Sequence, residues 1–578
     1  MFMLGCSINA QGQSMMSILQ PSDTTYYQVC ARMEAYFDLH GCDENDEDGL
    51  FAKFGRWKRF WQYRTDSQGR FNIGAVYAQT LLQDIEFCNE ELDPAIQWTN
   101  LGPYNSQGAD ANYGTIAETQ NQGRLECISV NPNDANDIVV GATNSNIYRS
   151  TDGGANWHNT TYDEGYSLTG FSAIHHHPDN PNFVYASSGS RKGPAIWGLG
   201  NNPYALGILY SDDGGDTWHA TGLSYENPAA NILIGGYLHG DVQGLIIDPN
   251  STETNTILYA SVQNRLMRWQ GNAAAGANDG SSTYGNWTEI PLNVGPAQYV
   301  YDMGIETNGT LWFTNAIGLY RVMPGAATAT LVNIFTTTGE AGLIPIPTAY
   351  AGLDLGYWDL IGTLDVNRQD HIVIRIQFVA GQDLDLPPNP SPPTPSANFS
   401  YRSTDGGNTW TQIIDIPAPN PFFAEFVLSP YNSNIIYAEN STRRVIKSVN
   451  GAAFLATNDN NNHLDVRHIY VYNAADNTGN TDALYVATDG GISKTINGND
   501  WQDITGEGLT ISQFIGIGLD ELEADLVLGG CQDGSINYYR KGAWCETAPG
   551  GDNGDALVIA REISNSEKVV FQESQNNL

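Results

Sequence analysis

From about residue 124 onward, apolar residues fall in short runs of strand length, separated by clusters of Gly, Asn, Asp, Ser and Pro. The order of the runs repeats. A strand such as Cys127-Ile128-Ser129-Val130-Asn131-Pro132 precedes an apolar strand, Asp137-Ile138-Val139-Val140-Gly141-Ala142. A third strand ends in Tyr148-Arg149-Ser150, and a fourth follows Trp157. The same order appears at Ile174 to Trp218, Leu245 to Trp287, Phe426 to Phe454 and Ile469 to Trp501. The aromatic residue that opens the fourth strand stands at Trp410, Phe454, Trp501 and Trp544, at steps of 44, 47 and 43 residues. That is the length of one four-stranded blade. The pattern predicts an all-β chain, a β-propeller of about eight blades near 124–163, 168–224, 238–292, 298–336, 355–417, 423–458, 464–506 and 511–548. A ninth begins at Gly550, so that the propeller occupies 124–578.

The first part of the chain has another texture. Thr24 to His40 and Val76 to Leu92 carry helical periodicity, with Tyr27, Cys30, Met33 and Phe37 at spacings of three and four. They make residues 22–92 a small helical N-terminal segment, joined by a polar linker at 93–123. The aromatic stretch Trp57-Lys58-Arg59-Phe60-Trp61 is expected to dock this segment on the propeller. The acidic run Asp43 to Gly49 lacks the twelfth-position Glu of a calcium loop and reads as a solvated turn. Residues 1–10 form a short apolar run ending in small residues, like the tail of a signal peptide. Leu4-Gly5-Cys6 leaves lipoprotein processing open beside cleavage near Ala10.

Between third and fourth strands one motif recurs. Ser150-Thr151-Asp152-Gly153-Gly154-Ala155-Asn156-Trp157, Ser211-Asp212-Asp213-Gly214-Gly215-Asp216-Thr217-Trp218 and Ser403-Thr404-Asp405-Gly406-Gly407-Asn408-Thr409-Trp410 share Ser-x-Asp-x-Gly. Gly reaches positive φ cheaply, and the Asp carboxylate accepts from amides of its own turn. In Lys447 to Phe454 and Lys494 to Trp501, Asn replaces Asp. A turn staple tolerates that drift and a catalytic acid does not. The motif is identified as the Asp-box, or BNR repeat, which implies propeller blades with Asp-box hairpins.

Further along, His463-x-Asp465-x-x-His468, Thr488-Asp489-Gly490-Gly491, Gly529-Gly530-Cys531-Gln532-Asp533-Gly534, Gly550-Gly551-Asp552 and Glu573-Ser574-Gln575 follow in order. The series resembles the sortilin-type propellers of secreted bacterial proteins. His468 falls one residue late and Asn553 interrupts Gly-Gly-Asp-Gly. The front segment looks like that of large cell-surface proteins of gliding and marine bacteria. The resemblance implies a secreted or cell-surface location reached through a signal peptide.

Composition narrows the partners. Against 26 Lys and Arg stand 64 Asp and Glu, a formal charge of −38. Nucleic acid and anionic membranes call for clustered basic residues, so both are excluded as partners, and no run is long enough to span a bilayer. Acidity of this degree serves solubility or calcium binding. Seven cysteines are present. Without Cys6 six remain, and Cys531 and Cys545, within one blade, are expected to pair.

Candidate chemistry lies away from the turns. His239-Gly240-Asp241-Val242 parallels His463-Leu464-Asp465-Val466, and each opens the first strand of a blade. First strands line the central channel, so these residues converge on its mouth. The expected binding face comprises His239, Asp241, His463, Asp465, His468, Asp489, Gln532, Asp533 and Asp552, with calcium as a candidate ion. Hydrogen bonding between neighbouring first strands is the structural alternative for the same residues. The expectation is a monomeric, non-catalytic propeller that binds a protein, peptide or carbohydrate ligand. The alternative is a glycoside hydrolase of the xyloglucanase or sialidase-like Asp-box type, with Asp241, Asp465 and Asp489 as candidate carboxylates. No Arg triad or Arg-Ile-Pro element of a sialidase is seen.

Overall fold

The computed structural model describes residues 25–40, several residues of 51–69, residues 102–103, and most of 123–574. The longest stretches outside the description within the propeller are 190–205, 225–241, 335–357 and 381–397. Residues 1–10, the acidic run at 43–49, the second helical stretch at 76–92 and most of the linker lie outside the described residues, as does the proline-rich run at 387–393.

The described part is mostly β, with eight four-stranded antiparallel sheets, one two-stranded sheet and one α-helix. Seven of the sheets are blades of a β-propeller. Their first strands are Leu125–Asn131, Phe171–His176, Val242–Ile247, Asp302–Ile305, Trp358–Val366, Phe426–Leu428 and Val466–Tyr472. Each packs against the next, and the seventh packs against the first. Seven apolar clusters fill the seven seams, from Cys127, Phe171 and Trp218 between blades 1 and 2 to Ile128, Ile138, Tyr485 and Ile511 between blades 7 and 1. Successive strand residues point to opposite faces. Hence Ile138, Val140 and Ala142 fill one seam while Val139 fills the next. A second strand, sandwiched on both faces, reads as an unbroken apolar run.

The ring therefore holds seven blades, not eight. Blade 7 stands to blade 1 as blade 1 stands to blade 2. Trp218 Nε1 of blade 2 donates to Thr160 Oγ1, just past the last strand of blade 1, at 2.9 Å. Trp157 Nε1 of blade 1 donates to Ile504 O, just past the last strand of blade 7, at 3.0 Å. Residues 504–511 then run along blade 1: Trp157 N donates to Glu507 O at 2.7 Å, and Tyr148 OH to Thr510 O at 2.6 Å. Gly508 permits this approach, because its φ is +89° and a Cβ there would sit 2.0 Å from Trp157 O.

The eighth sheet, with strands Phe514–Leu519, Val527–Cys531, Ile536–Arg540 and Ala543–Glu546, belongs to none of the seven seams. It packs against the hairpin of Asn553–Ser564 and Glu567–Ser574. Here the expected disulfide fails: Cys531 is a free, buried thiol that accepts from Asn537 Nδ2 at 3.4 Å. Cys545 pairs with Tyr538 across the neighbouring strand. Cys531 and Cys545 thus lie two strands apart, about 9.5 Å by strand spacing alone, beyond the ~7 Å that a disulfide spans.

The helix Tyr26–His40 buries Tyr26, Val29, Cys30 and Met33, while Tyr27, expected on that face, is exposed. Phe37 packs on Phe51 and Phe54, and Lys58 pairs with Glu34 at 2.7 Å. Among the described residues no helix is long and apolar enough to cross a membrane.

Candidate functional site

The repeated turns are staples at the outer edge. In blade 2, Ser211 Oγ donates to Asp213 Oδ1 and accepts from Gly215 N. Asp213 also accepts from the amides of Asp216 and Thr217 and from Thr217 Oγ1. Asp152 and Asp405 repeat the arrangement. These bonds favour the carboxylate, and both Asp152 and Asp405 are drawn down to about 2. The hydrogen bonds these carboxylates accept come from their own turns.

The third strands carry basic residues that reach the next blade's turn. Lys494 Nζ of blade 7 donates to Gly153 O at 3.0 Å, Arg149 Nη1 of blade 1 to Asp213 O at 3.0 Å, and Arg268 Nη1 of blade 3 to Ala326 O at 3.1 Å. Arg149 is further held by Asp137, Nε on Oδ1 at 2.9 Å and Nη2 on Oδ2 at 3.1 Å.

Around the channel, first strands are clipped together by polar side chains. Ser129 Oγ bridges to His176 Nδ1 at 2.8 Å. His175 Nε2 meets Leu245 O at 2.7 Å. Asp302 Oδ2 accepts from Leu364 N at 3.0 Å, and Asp365 Oδ2 from Leu428 N at 2.7 Å. His468 Nδ1 accepts from Ile128 N at 3.0 Å, closing blade 7 on blade 1. Burial pushes the Asp365 carboxyl up to about 7 against the amide bonds that oppose it. Burial likewise holds His176 neutral, down to about 4.

At the mouth, on the seam of blades 7 and 1, lies an ionic cluster. Arg467 donates to both carboxylate oxygens of Asp489, and Arg124 pairs with Glu126. Arg124 Nε stands 3.7 Å from Asp489 Oδ1, and Glu126 accepts from Thr143 Oγ1 at 3.1 Å. Asp489 is 3% exposed. Burial alone would raise it, but the Arg467 guanidinium, with Arg124 and His463 adding, holds it below the usual carboxylate range. A carboxylate so held positions its partner and is poorly placed to donate a proton. Asp465 stands beside this cluster, partly buried, with φ +62°, a left-handed backbone that Asp tolerates.

Of the nine residues expected at the mouth, the structure brings His463, Asp465 and Asp489 together around Arg467, and places His468 on the seam. His239, Asp241, Gln532, Asp533 and Asp552 lie outside the described residues. Arg467, Arg124 and Glu126 were missed. Arg467 lies inside the very stretch that signalled Asp465 and His468. Asp302 and Asp365 were missed as well, although a rule that seeks acids on first strands would have found them. Among the described residues no group of three or more His, Cys, Asp or Glu side chains could hold a metal ion.

No protein-family profile matches the chain. It is 27% identical over 320 residues to a xyloglucanase of a Paenibacillus species, covering 45% of this chain and 28% of that enzyme. It is 24% identical over 304 residues to Xyloglucanase Xgh74A of Acetivibrio thermocellus, covering 43% of this chain and 33% of the relative. The chain thus spans about a third of the length of these curated relatives. Among solved structures, an ancestral GH74 enzyme superposes with a TM-score of 0.48 at 13% identity, covering 77% of this chain and 57% of that one. YCF48 from Cyanidioschyzon merolae superposes with a TM-score of 0.37 at 12% identity, covering 65% and 96%.

The sequence likeness corrects the functional expectation. A non-catalytic binding propeller does not agree with relatives that carry the name of a polysaccharide-degrading enzyme. The glycoside hydrolase alternative does.

Proposed function

We propose that this chain acts as a glycoside hydrolase on xyloglucan, outside the cell. The observation that carries the reading is its sequence likeness to two enzymes named xyloglucanase. The propeller supports it by gathering charged side chains at one channel mouth. Asp465 lies beside the Arg467–Asp489 pair, and Asp241 immediately precedes in sequence Val242, where the first strand of blade 3 begins. In this reading Asp241 and Asp465 act on the glycosidic bond, and Asp489 with Arg467 fixes the lip beside Asp465. The Ser-x-Asp turns are Asp-box turns with a structural role only.

The test is release of reducing ends from xyloglucan, compared with unbranched cellulose. Turnover is expected on xyloglucan, with Asp241→Asn and Asp465→Asn each lowering it by about 10²- to 10⁴-fold, the usual worth of a general acid or base. Failure to hydrolyse any β-glucan would sink the proposal. Unchanged turnover in both variants would remove these two residues from it.

A further inference from the structure

One of the repeated turns is not stapled. In four turns the hydroxyl that opens the motif donates to the side chain two residues on: Ser150 to Asp152 at 2.9 Å, Ser211 to Asp213 at 2.7 Å, Ser403 to Asp405 at 2.8 Å and Thr495 to Asn497 at 3.2 Å. In blade 6 the hydroxyl of Ser448 turns instead to Ala452 O, at 2.7 Å. Asn450, two positions after Ser448, is exposed and has a φ of +55°, a left-handed backbone that Asn tolerates. Among the described residues its carboxamide has no hydrogen-bond partner, and neither has the N–H of Gly451. A Cβ on Gly451 would meet nothing within 4 Å, so the turn is open there.

The chain holds three other Asn-Gly pairs, and two of them show what blade 6 lacks. Asn308 Nδ2 donates to Glu306 Oε2 at 2.8 Å, its Oδ1 accepts from Thr310 N at 2.8 Å, and Gly309 N donates to Glu306 O at 2.9 Å. Asn497 Nδ2 donates to Asp500 Oδ2 at 2.6 Å, its Oδ1 accepts from Asp500 N at 2.8 Å, and Gly498 N donates to Thr495 Oγ1 at 3.0 Å. In both pairs the carboxamide and the following amide are each tied to another group. The third, Asn553-Gly554, has its side chains outside the described residues.

We propose that Asn450-Gly451, at the outer edge of blade 6, is a site of spontaneous covalent modification, deamidation through a cyclic imide. Asn is among the thermally labile side chains, and attack by its own chain is favoured by proximity. The Gly451 nitrogen loses its proton to water and bonds to Asn450 Cγ. The Cγ–Nδ2 bond breaks, and Nδ2 takes up a proton and leaves as ammonia. Water then opens the imide. Addition at Cγ leaves Asp, and addition at the backbone carbonyl leaves isoaspartate, with the chain running through the side chain. The net step consumes one water, releases one ammonia and involves no redox change. The absence of a Cβ at Gly451 leaves the attacking nitrogen unshielded. The site is independent of the proposed hydrolase activity.

The experiment is incubation of the whole folded chain at mildly alkaline pH, followed by tryptic peptide mapping with fragmentation that tells Asp from isoaspartate. The peptide Ser448 to Arg467 should convert first, at Asn450, and faster as pH rises. Asn308 and Asn497 should trail by about 10-fold or more, because their hydrogen bonds must open before the ring can close. In the chain unfolded by urea the three rates should converge. Asn450→Gly, which suits the positive φ, should abolish conversion in that peptide although its other asparagines remain. Asn308 or Asn497 reacting as fast as Asn450 in the folded chain overturns the proposal. So does the same spread of rates in urea, or conversion of the peptide that persists in Asn450→Gly.

Discussion

The ion pair at the closing seam allows a quantitative test of how the ring is held. Asp489 is 3% exposed and takes both forks of Arg467, with Arg124 close behind. Asp489→Ala leaves two guanidinium groups at one seam with only Glu126 and Asp465 nearby to offset them. Removing one partner of a buried pair typically costs about 3–5 kcal/mol, since the other charge stays desolvated. Replacing both, as in Arg467→Met with Asp489→Leu, removes the stranded charge and should lie within about 1–2 kcal/mol of the wild type. The pH dependence has a fixed sign. The folded carboxyl lies below its unfolded value of about 3.9, so the stabilisation is fully present above that value and is lost as pH falls through the folded pKa. The Asp489→Ala penalty should therefore be flat from about pH 5 to 8 and shrink below about pH 4. Denaturant midpoints across pH give the penalty, and hydrogen exchange in Val466–Tyr472 and Leu125–Asn131 locates it. A single-variant cost under about 1 kcal/mol, or a double variant as unstable as the single one, would refute the reasoning.

Two further outcomes are expected. Asp213→Ala should cost about 1–2 kcal/mol through the amide and hydroxyl bonds of its turn, whereas Asp212→Ala, whose side chain points to solvent beside it, should stay within about 0.5 kcal/mol. Paired denaturation curves decide this, and equal effects would deny the staple role. His176 is neutral in the fold and titrates near 4. The unfolded chain takes up that proton first as pH falls below about 6.5, so stability should fall by about 2–3 kcal/mol by pH 4, and His176→Gln should flatten that slope. A variant with the wild-type slope between pH 6.5 and 4 would show that the Ser129–His176 clip does not govern acid stability.

Strand order and blade period were legible because both are local. Positive-φ glycines in the turns, the Trp that follows them and the doubly buried second strand each leave a mark within one repeat. Ring size left none. The eight repeats read from the sequence became seven blades and one sheet outside the ring, because closure is decided where Leu125–Asn131 meets Val466–Tyr472, some 340 residues apart, as in the Ile128–His468 bond. Residues 504–506 were read as the end of the blade at 464–506 and residue 511 as the start of the next. The backbone hydrogen bonds of 504–511 to Trp157 and Ala155 depend on blade 1 already being there.

The same distinction governs the site. A sequence displays Asp489 and Asp465 as two acids of equal standing. Only tertiary placement pairs Asp489 with Arg467 and sets Asp465 beside that pair on a left-handed backbone. His468 was legible as a first-strand residue, yet its acceptor nitrogen serves a backbone amide of blade 1. Arg149 and Arg402 are identical in sequence, each between Tyr and Ser, and one is clamped by Asp137 and Asp216 while the other has its fork unfilled. What separates them is not the arginine but the residue two positions ahead on the partner strand and the turn of the following blade. In a repeat protein, then, departures in a neighbour's repeat locate chemistry better than the repeated residue itself.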